Sequence, residues 1–227
     1  MAQACVYFVM KKNSSDQNLE YWNTAGSQKT FNNPNLVLTK LDYLAKESAI
    51  LDIGCGYGRT LSELALNGYS NLHGIDYSNV MISRAKEILP GNVNLKQSKA
   101  TSLPFNDKTF DIVLLYAVLN CIPSPKEEAK IIQEALRILK TGGYLLINDF
   151  VMTKPLDKYK ISSDIYGKFG YFKVEEQCSM RHTTPERIIN MLGDNKLIFQ
   201  SIGKETSMNG NSVEILSCIF KVIYLND

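Results

Sequence analysis

Apolar residues along this chain gather in short runs, separated by stretches in which they recur every three or four positions. Runs at 49–53, 71–75, 93–97, 110–115 and 143–149 have the length of single strands. Strands alternating with amphipathic helices are the pattern of a parallel sheet covered on both faces. One helix begins after Gly58, repeats Leu61, Leu64 and Ala65, and ends near Gly68. A second starts from Ser78, a good N-cap, repeats Met81, Ala85 and Ile88, and stops at Pro90-Gly91. The third has Ser124 as N-cap, Pro125 at its first position and Glu127 to close a capping box, and runs to about Lys140 before Gly142-Gly143. Ahead of the first strand, Leu38, Leu41 and Leu44 with Tyr43 nearby predict a helix over Asn35–Lys46.

Beyond Asp149 the pattern changes. Residues 154 to 173 are polar and aromatic with no clean period, and are read as an insertion over the active site. A helix follows from Thr184 and Pro185 to about Leu192. Ile198–Lys204 and Val213–Tyr224 then read as two final strands, a hairpin turning at Asn209-Gly210-Asn211. The architecture expected is a doubly wound, mostly parallel α/β sheet of seven strands ending in that antiparallel hairpin.

The most specific stretch is Ile50-Leu51-Asp52-Ile53-Gly54-Cys55-Gly56-Tyr57-Gly58-Arg59-Thr60, where an apolar strand empties into three alternate glycines and a helix start. Such a loop turns sharply and lets a ligand lie on its backbone, which points to a nucleotide-like cofactor. Its spacing is G-x-G-x-G, whereas the dinucleotide fingerprint is G-x-G-x-x-G. Arg59 stands where that fingerprint has its third glycine. Asp76 ends the second strand, where its carboxylate can accept both ribose hydroxyls of an adenosine.

ILDIGCGYGRT resembles motif I of class I S-adenosylmethionine-dependent methyltransferases, in which an acidic residue precedes the glycines by two, as Asp52 does. GIDYS at 74–78, LPFNDKTFDIVLL at 103–115 and RILKTGGYLLI at 137–147 match further segments in the same order. The resemblance covers roughly residues 20 to 225 and implies the Rossmann-like methyltransferase fold, with S-adenosylmethionine as cofactor and S-adenosylhomocysteine as product. By the same resemblance Gly54, Cys55, Gly56 and Gly58 cradle the amino-acid tail and Asp52 helps hold its ammonium. Leu115 and Tyr116 line the methionine moiety, with Tyr116 facing the sulfonium. The aromatic segment Leu19 to Phe31, with Tyr21 and Trp22, lies over the cofactor mouth. Where the family has an acidic residue before an alanine to take the adenine amino group, this chain has Lys99-Ala100-Thr101, and an ammonium cannot accept a hydrogen bond. Adenine recognition is then expected from the Ala100 backbone, from Tyr77 and Met81, or from Ser98.

Bulk properties narrow the partners. The 227 residues show no linker or composition break, so one domain is expected over 19–227 with an N-terminal arm over 1–18. Net charge is +2 and the lysines are scattered, which disfavours a nucleic-acid partner. The five cysteines (Cys5, Cys55, Cys121, Cys178 and Cys218) are odd in number and lack C-x-x-C spacing, the pattern of reduced thiols in a cytoplasmic protein, and no metal is expected. The apolar residues 2–10 fall short of the roughly 20 that span a bilayer and follow no basic residue. Neither a signal nor a membrane anchor is expected, and the chain is taken as a monomer or homodimer.

Methyl transfer is an in-line displacement that needs alignment more than a dedicated acid or nucleophile. Acceptors that demand special chemistry are argued against. The stretch after the fourth strand reads Tyr116-Ala117-Val118-Leu119-Asn120 rather than [N/D]-P-P-[F/Y], Cys121 does not follow a proline, and only Asn148-Asp149 answers to an Asp-Asn metal pair. A small acceptor remains, with Tyr166, Phe169, Tyr171 and Phe172 as walls, Arg181 as a clamp for an acidic group and His182 as general base. Asn120, Asp149 and Asn209 are further acceptor contacts to test, and His73 is taken as structural. The rivals are a cofactor-binding partner or sensor without activity and a nicotinamide oxidoreductase.

Overall fold

The computed structural model describes residues 14–31, 37–41, 44–174, 178–207 and 210–223. The arm up to residue 13, Asn209 and Tyr224 lie outside the described residues. Five parallel strands, β1 (Ile50–Ile53), β2 (Leu72–Asp76), β3 (Asn94–Gln97), β4 (Phe110–Tyr116) and β5 (Leu139–Phe150), join β9 (Lys196–Thr206) and β10 (Ser212–Lys221) in one sheet. Its order is β3-β2-β1-β4-β5-β10-β9, with β10 antiparallel to both neighbours. This is the seven-stranded, mostly parallel architecture that the alternating pattern implies.

Side chains of alternate residues leave the sheet on opposite faces, and each face builds its own core. Leu51, Ile53, Val113, Leu115, Leu145 and Ile147 pack under α4 (Pro125–Ile138) and α5 (Pro185–Met191), meeting Ile131, Ile132, Ala135, Ile138 and Ile188. On the other face Ile50, Ile112, Leu114 and Leu146 meet Leu61 and Leu64 of α2 (Arg59–Leu66) and Ile82 and Ala85 of α3 (Asn79–Ile88). Leu61 and Leu64 are wholly buried, so truncating either to alanine is worth about 2–5 kcal/mol. The caps form as expected: Ser78 Oγ accepts from Met81 N, Ser124 Oγ from Glu127 N and Thr184 Oγ1 from Arg187 N.

Three features differ from the expectation. Of the helix over Asn35–Lys46, the described part is one 3-10 turn at Val37–Lys40 followed by irregular chain at 44–49; Leu38 and Leu41 are nevertheless buried. Helix α4 stops at Ile138 rather than near Lys140, because Leu139 already pairs with Phe110, and the register shift between Phe110 and Ile112 is absorbed at Gly142, φ +79°. The aperiodic insertion is a second antiparallel sheet, β6 (Lys160–Asp164), β7 (Gly167–Val174) and β8 (Cys178–Thr183). Its strands lack clean alternation because both faces are partly covered. Phe169 and Arg181 face Arg187, while Phe172 and His182 pack on Tyr159.

Candidate cofactor and acceptor site

Strand order reverses between β1 and β4, and a crevice opens there at the carboxyl ends of the strands. The glycine loop lies at this point and its three glycines do different things. A Cβ on Gly54 (φ +71°) would stand 2.8 Å from Val118, and one on Gly58 (φ +86°) only 2.5 Å from Leu89. One on Gly56 (φ +55°) would meet nothing within 4 Å, because that backbone faces open cavity. Gly58 therefore turns the chain into α2 and does not line the cavity, a correction to its place in the expected cradle.

Asp76, at the end of β2, braces the loop. Its Oδ2 accepts from Gly56 N at 2.9 Å and its Oδ1 from Ser78 N at 2.8 Å, while Cys55 N donates to Ile75 O at 2.9 Å. Lone pairs remain on both carboxylate oxygens for further donors. Burial pushes the Asp76 carboxyl up, opposed by those backbone donors. Asp52, in β1 beneath the loop, is 2 % exposed and its pKa rises to about 8, first through burial and then through Asp76, with Arg59 offsetting part of it. A buried carboxyl held this high is ready for a cationic ligand group.

A cavity of about 310 Å³ joins these residues. Tyr77, Met81, Lys99, Ala100, Thr101 and Tyr116 line it together with Asp52, Gly54, Cys55, Gly56 and Asp76. After Tyr116, Ala117 takes the left-handed φ of +58° and donates to Asn148 O at 2.7 Å, which turns Tyr116, Ala117 and Val118 onto the cavity wall. Leu115 points the other way into the α4 core, as strand alternation requires, so it does not line the cavity.

The roof is α1 (Ser14–Asn23), whose residues 15, 16, 18, 19 and 22 share one helical face turned to the cavity. It is pinned along its length. Ser15 Oγ donates to Glu127 Oε2 at 2.7 Å, Asn18 Nδ2 to Cys121 O at 2.7 Å and Ser179 O at 2.8 Å, and Ser78 Oγ to Asn23 Oδ1 at 2.6 Å. Helical phase puts Trp22 at the cavity and sends Tyr21 to pack on Cys178 and Met180, which removes Tyr21 from the mouth. Phe31 stacks on Tyr57 with ring centroids 6.2 Å apart, and both line the opening.

Arg181 and His182 lie outside the cavity. Arg181 is 2 % exposed, with Nη2 2.7 Å from Glu128 Oε1 and its guanidinium 5.2 Å over Phe169. Arg187, fully buried, takes the other oxygen of Glu128 at 2.6 Å and pairs with Asp164. That network ties α4, the small sheet and α5 together, so Arg181 has no reach to an acceptor. His182 Nδ1 meets Tyr159 Oη at 2.7 Å, and its ring stacks on Phe150 at 5.3 Å. Burial, then Lys158, drop its pKa to about 4. The ring is a neutral packing element, and the base role expected for it is corrected. Tyr166, Phe169, Tyr171, Phe172, Asn120 and Asp149 do not line the cavity either. The cavity is lined instead by Leu19, Trp22, Cys121, Ile122, Pro123 and Ile131, whose positions follow from tertiary packing of α1 and of the chain after β4. Burial raises the Cys121 thiol well above its ordinary range, so it is a poor nucleophile.

Gly56 without a side chain at the open end, a deeply buried carboxyl for an ammonium group and a second carboxyl at the sugar position fit S-adenosylmethionine. With this strand order they define a class I S-adenosylmethionine-dependent methyltransferase domain. The chain belongs to the methyltransferase domain family, which matches residues 44–208. It is 34 % identical over 112 residues to 2-methyl-6-phytyl-1,4-hydroquinone methyltransferase of Synechocystis, covering 48 % of this chain and 34 % of that protein. To EEF1A lysine methyltransferase 2 of Danio rerio it is 32 % identical over 120 residues, covering 49 % and 52 %. The chain thus spans about a third to a half of such relatives. A crystal structure described as a SAM-dependent methyltransferase from Methanosarcina mazei superposes with a TM-score of 0.71 at 27 % identity, over 84 % of this chain and 99 % of that one. Among the described residues no helix is long and apolar enough to cross a membrane.

Proposed function

We propose that this protein methylates a small molecule, using S-adenosylmethionine as donor. The observation that carries the reading is the hydrogen-bonded roof: α1 is held to α3, α4 and β8 across the mouth, leaving an apolar space under Leu19, Trp22 and Ile122. A compact, largely apolar acceptor fits beneath it, whereas a side chain still attached to a folded protein meets the roof first. The Synechocystis relative is named for a phytyl hydroquinone, an apolar small molecule and not a protein.

When bound, the cofactor supplies a methyl group activated on a sulfonium. The chain's own part is to place and enclose. Asp52 and the Gly54–Gly56 backbone hold the amino-acid tail, Asp76 holds the ribose, and Tyr77, Met81, Ala100 and Thr101 flank the base. Tyr116 offers an aromatic face to positive charge. The α1 roof excludes water and fixes the acceptor in line with the methyl. No imidazole is among the described lining residues, so an acceptor atom already nucleophilic near neutral pH is favoured. One domain with an N-terminal arm, working in the reducing cytoplasm as a monomer or homodimer, completes the proposal. Scattered lysines and a net charge of +2 support leaving nucleic acid out.

The test is incubation of a metabolite extract with protein and methyl-labelled S-adenosylmethionine, followed by mass spectrometry. A small metabolite should gain one methyl group, and Asp76→Ala should abolish the gain. Label confined to the protein or nucleic-acid fraction would refute the small-acceptor reading.

A further inference from the structure

Glu127 does not do what its own sequence motif prepares it to do. Ser124 Oγ accepts from Glu127 N at 3.3 Å, and a capping box would return the Glu127 carboxylate to the Ser124 amide. The carboxylate turns instead to Ser15 Oγ and lines the cavity. On the same lining are Ala100 and Thr101, where the family carries a carboxylate for the adenine amino group and this chain carries Lys99. Lys99 is exposed and swings its ammonium to 5.0 Å from the centre of the Tyr77 ring. Besides Asp52 and Asp76, the carboxylates that line the cavity with Lys99 are Asp16 and Glu127. Asp16 is exposed on the outer turn of α1; Glu127 is half-buried and anchored in a capped helix. With one oxygen taking Ser15, the carboxylate keeps lone pairs for a second donor.

We infer that Glu127 accepts the hydrogen bond from the 6-amino group of the cofactor's adenine, replacing from α4 the acceptor that position 99 has lost. The inference rests on the S-adenosylmethionine reading of the cavity and adds to it the residue that reads the base. The Ser15 contact then joins the roof helix to the adenine end.

The experiment compares S-adenosylhomocysteine with its 6-deamino analogue, which carries purine in place of adenine and so lacks the amino group while N1 still accepts, by calorimetric Kd. Wild type should prefer the adenosyl ligand by about ten-fold or more, the effect of one charge-assisted hydrogen bond. In Glu127→Gln, whose amide both donates and accepts, the preference should fall to about two-fold. Adding Lys99→Asp to that variant should restore it. Ser15→Ala should weaken both ligands alike and keep the ratio, and melting curves check that each variant folds. Equal affinities in wild type, or a Glu127→Gln ratio unchanged while both ligands weaken, would overturn the assignment and leave Glu127 as a latch for α1. If neither ligand binds wild type, the cofactor reading falls and this inference with it.

Discussion

Replacing Asp52 with asparagine should make the protein more stable and the cofactor site worse. The Asp52 carboxyl lies under the glycine loop with its pKa raised from 3.8 to about 8, chiefly by burial and only partly offset by Arg59. One pKa unit corresponds to about 1.4 kcal/mol, so holding this carboxyl in the folded state near neutral pH costs of order 4 kcal/mol. The sign follows from linkage: a folded-state pKa above the unfolded one means that stability falls as pH rises from about 4 toward 8. The substituted amide is neutral at every pH and nearly isosteric with the carboxyl. At pH 7.5 Asp52→Asn should therefore raise Tm by roughly 8–16 °C, and the gain should fade as pH falls to 4 and below, as the carboxyl of the unfolded chain becomes protonated too. Affinity for S-adenosylmethionine should fall at least ten-fold, since the ammonium loses its ionic partner. Thermal and urea unfolding at pH 4.5 and 7.5, with calorimetry for the ligand, measure both effects. A variant that melts at or below wild type at pH 7.5, or a difference flat with pH, would show that Arg59 and the loop already satisfy the carboxylate.

Three further outcomes are expected. Wild-type affinity for S-adenosylmethionine should rise between pH 6 and 8, because binding the ammonium draws the proton from Asp52; calorimetry in buffers of different ionisation enthalpy should detect that proton, and Asp52→Asn should show no such slope. Glu128→Ala should cost about 3–5 kcal/mol in urea unfolding, since it strands the buried guanidiniums of Arg181 and Arg187; a loss under 1 kcal/mol would contradict the network. His182→Phe keeps the ring stack and removes the bond between Tyr159 Oη and His182 Nδ1, leaving that hydroxyl only the long bond from Thr153 N, so about 1–3 kcal/mol should be lost while the pH profile of kcat/KM stays as it is. Loss of a limb from that profile would restore His182 as a base.

That Asp52, the glycine loop and Asp76 meet at one cavity was legible in the sequence, and for a local reason. Asp52, the glycines and Asp76 sit on strand ends, where a few consecutive residues determine both the turn and the direction of each side chain. The errors there are errors of phase: Tyr21 against Trp22 on α1 and Leu115 against Tyr116 on β4, one residue apart in each case. The acceptor half was not legible, because α1, the chain after β4 and α4 meet only through tertiary contacts such as Asn18 with Cys121 and Ser15 with Glu127. Aromatic composition pointed to residues 166–172, where the rings of Phe169, Tyr171 and Phe172 are committed to packing within the small sheet and against Arg181, Arg187 and Tyr159.

What separates the Arg181–His182 pair from the cavity carboxylates is how buried charge is compensated. Glu128, Arg181, Arg187 and Asp164 close on one another at ion-pair distances, so that each charge faces an opposite one within the protein. The cavity carboxylates are compensated differently: Asp76 by two backbone amides, and Asp52 by a cation too weakly coupled to bring its pKa below neutrality. Desolvation that the protein leaves uncompensated weakens the empty fold and strengthens binding of whatever charge arrives. Titratable residues beside an aromatic segment therefore say little about function until their partners are known. In this chain Arg181 and His182, the polar pair beside the aromatic segment, are the pair that packing has put out of reach, while Asp52, sealed inside a strand, is the cavity carboxyl whose burial the fold leaves least compensated.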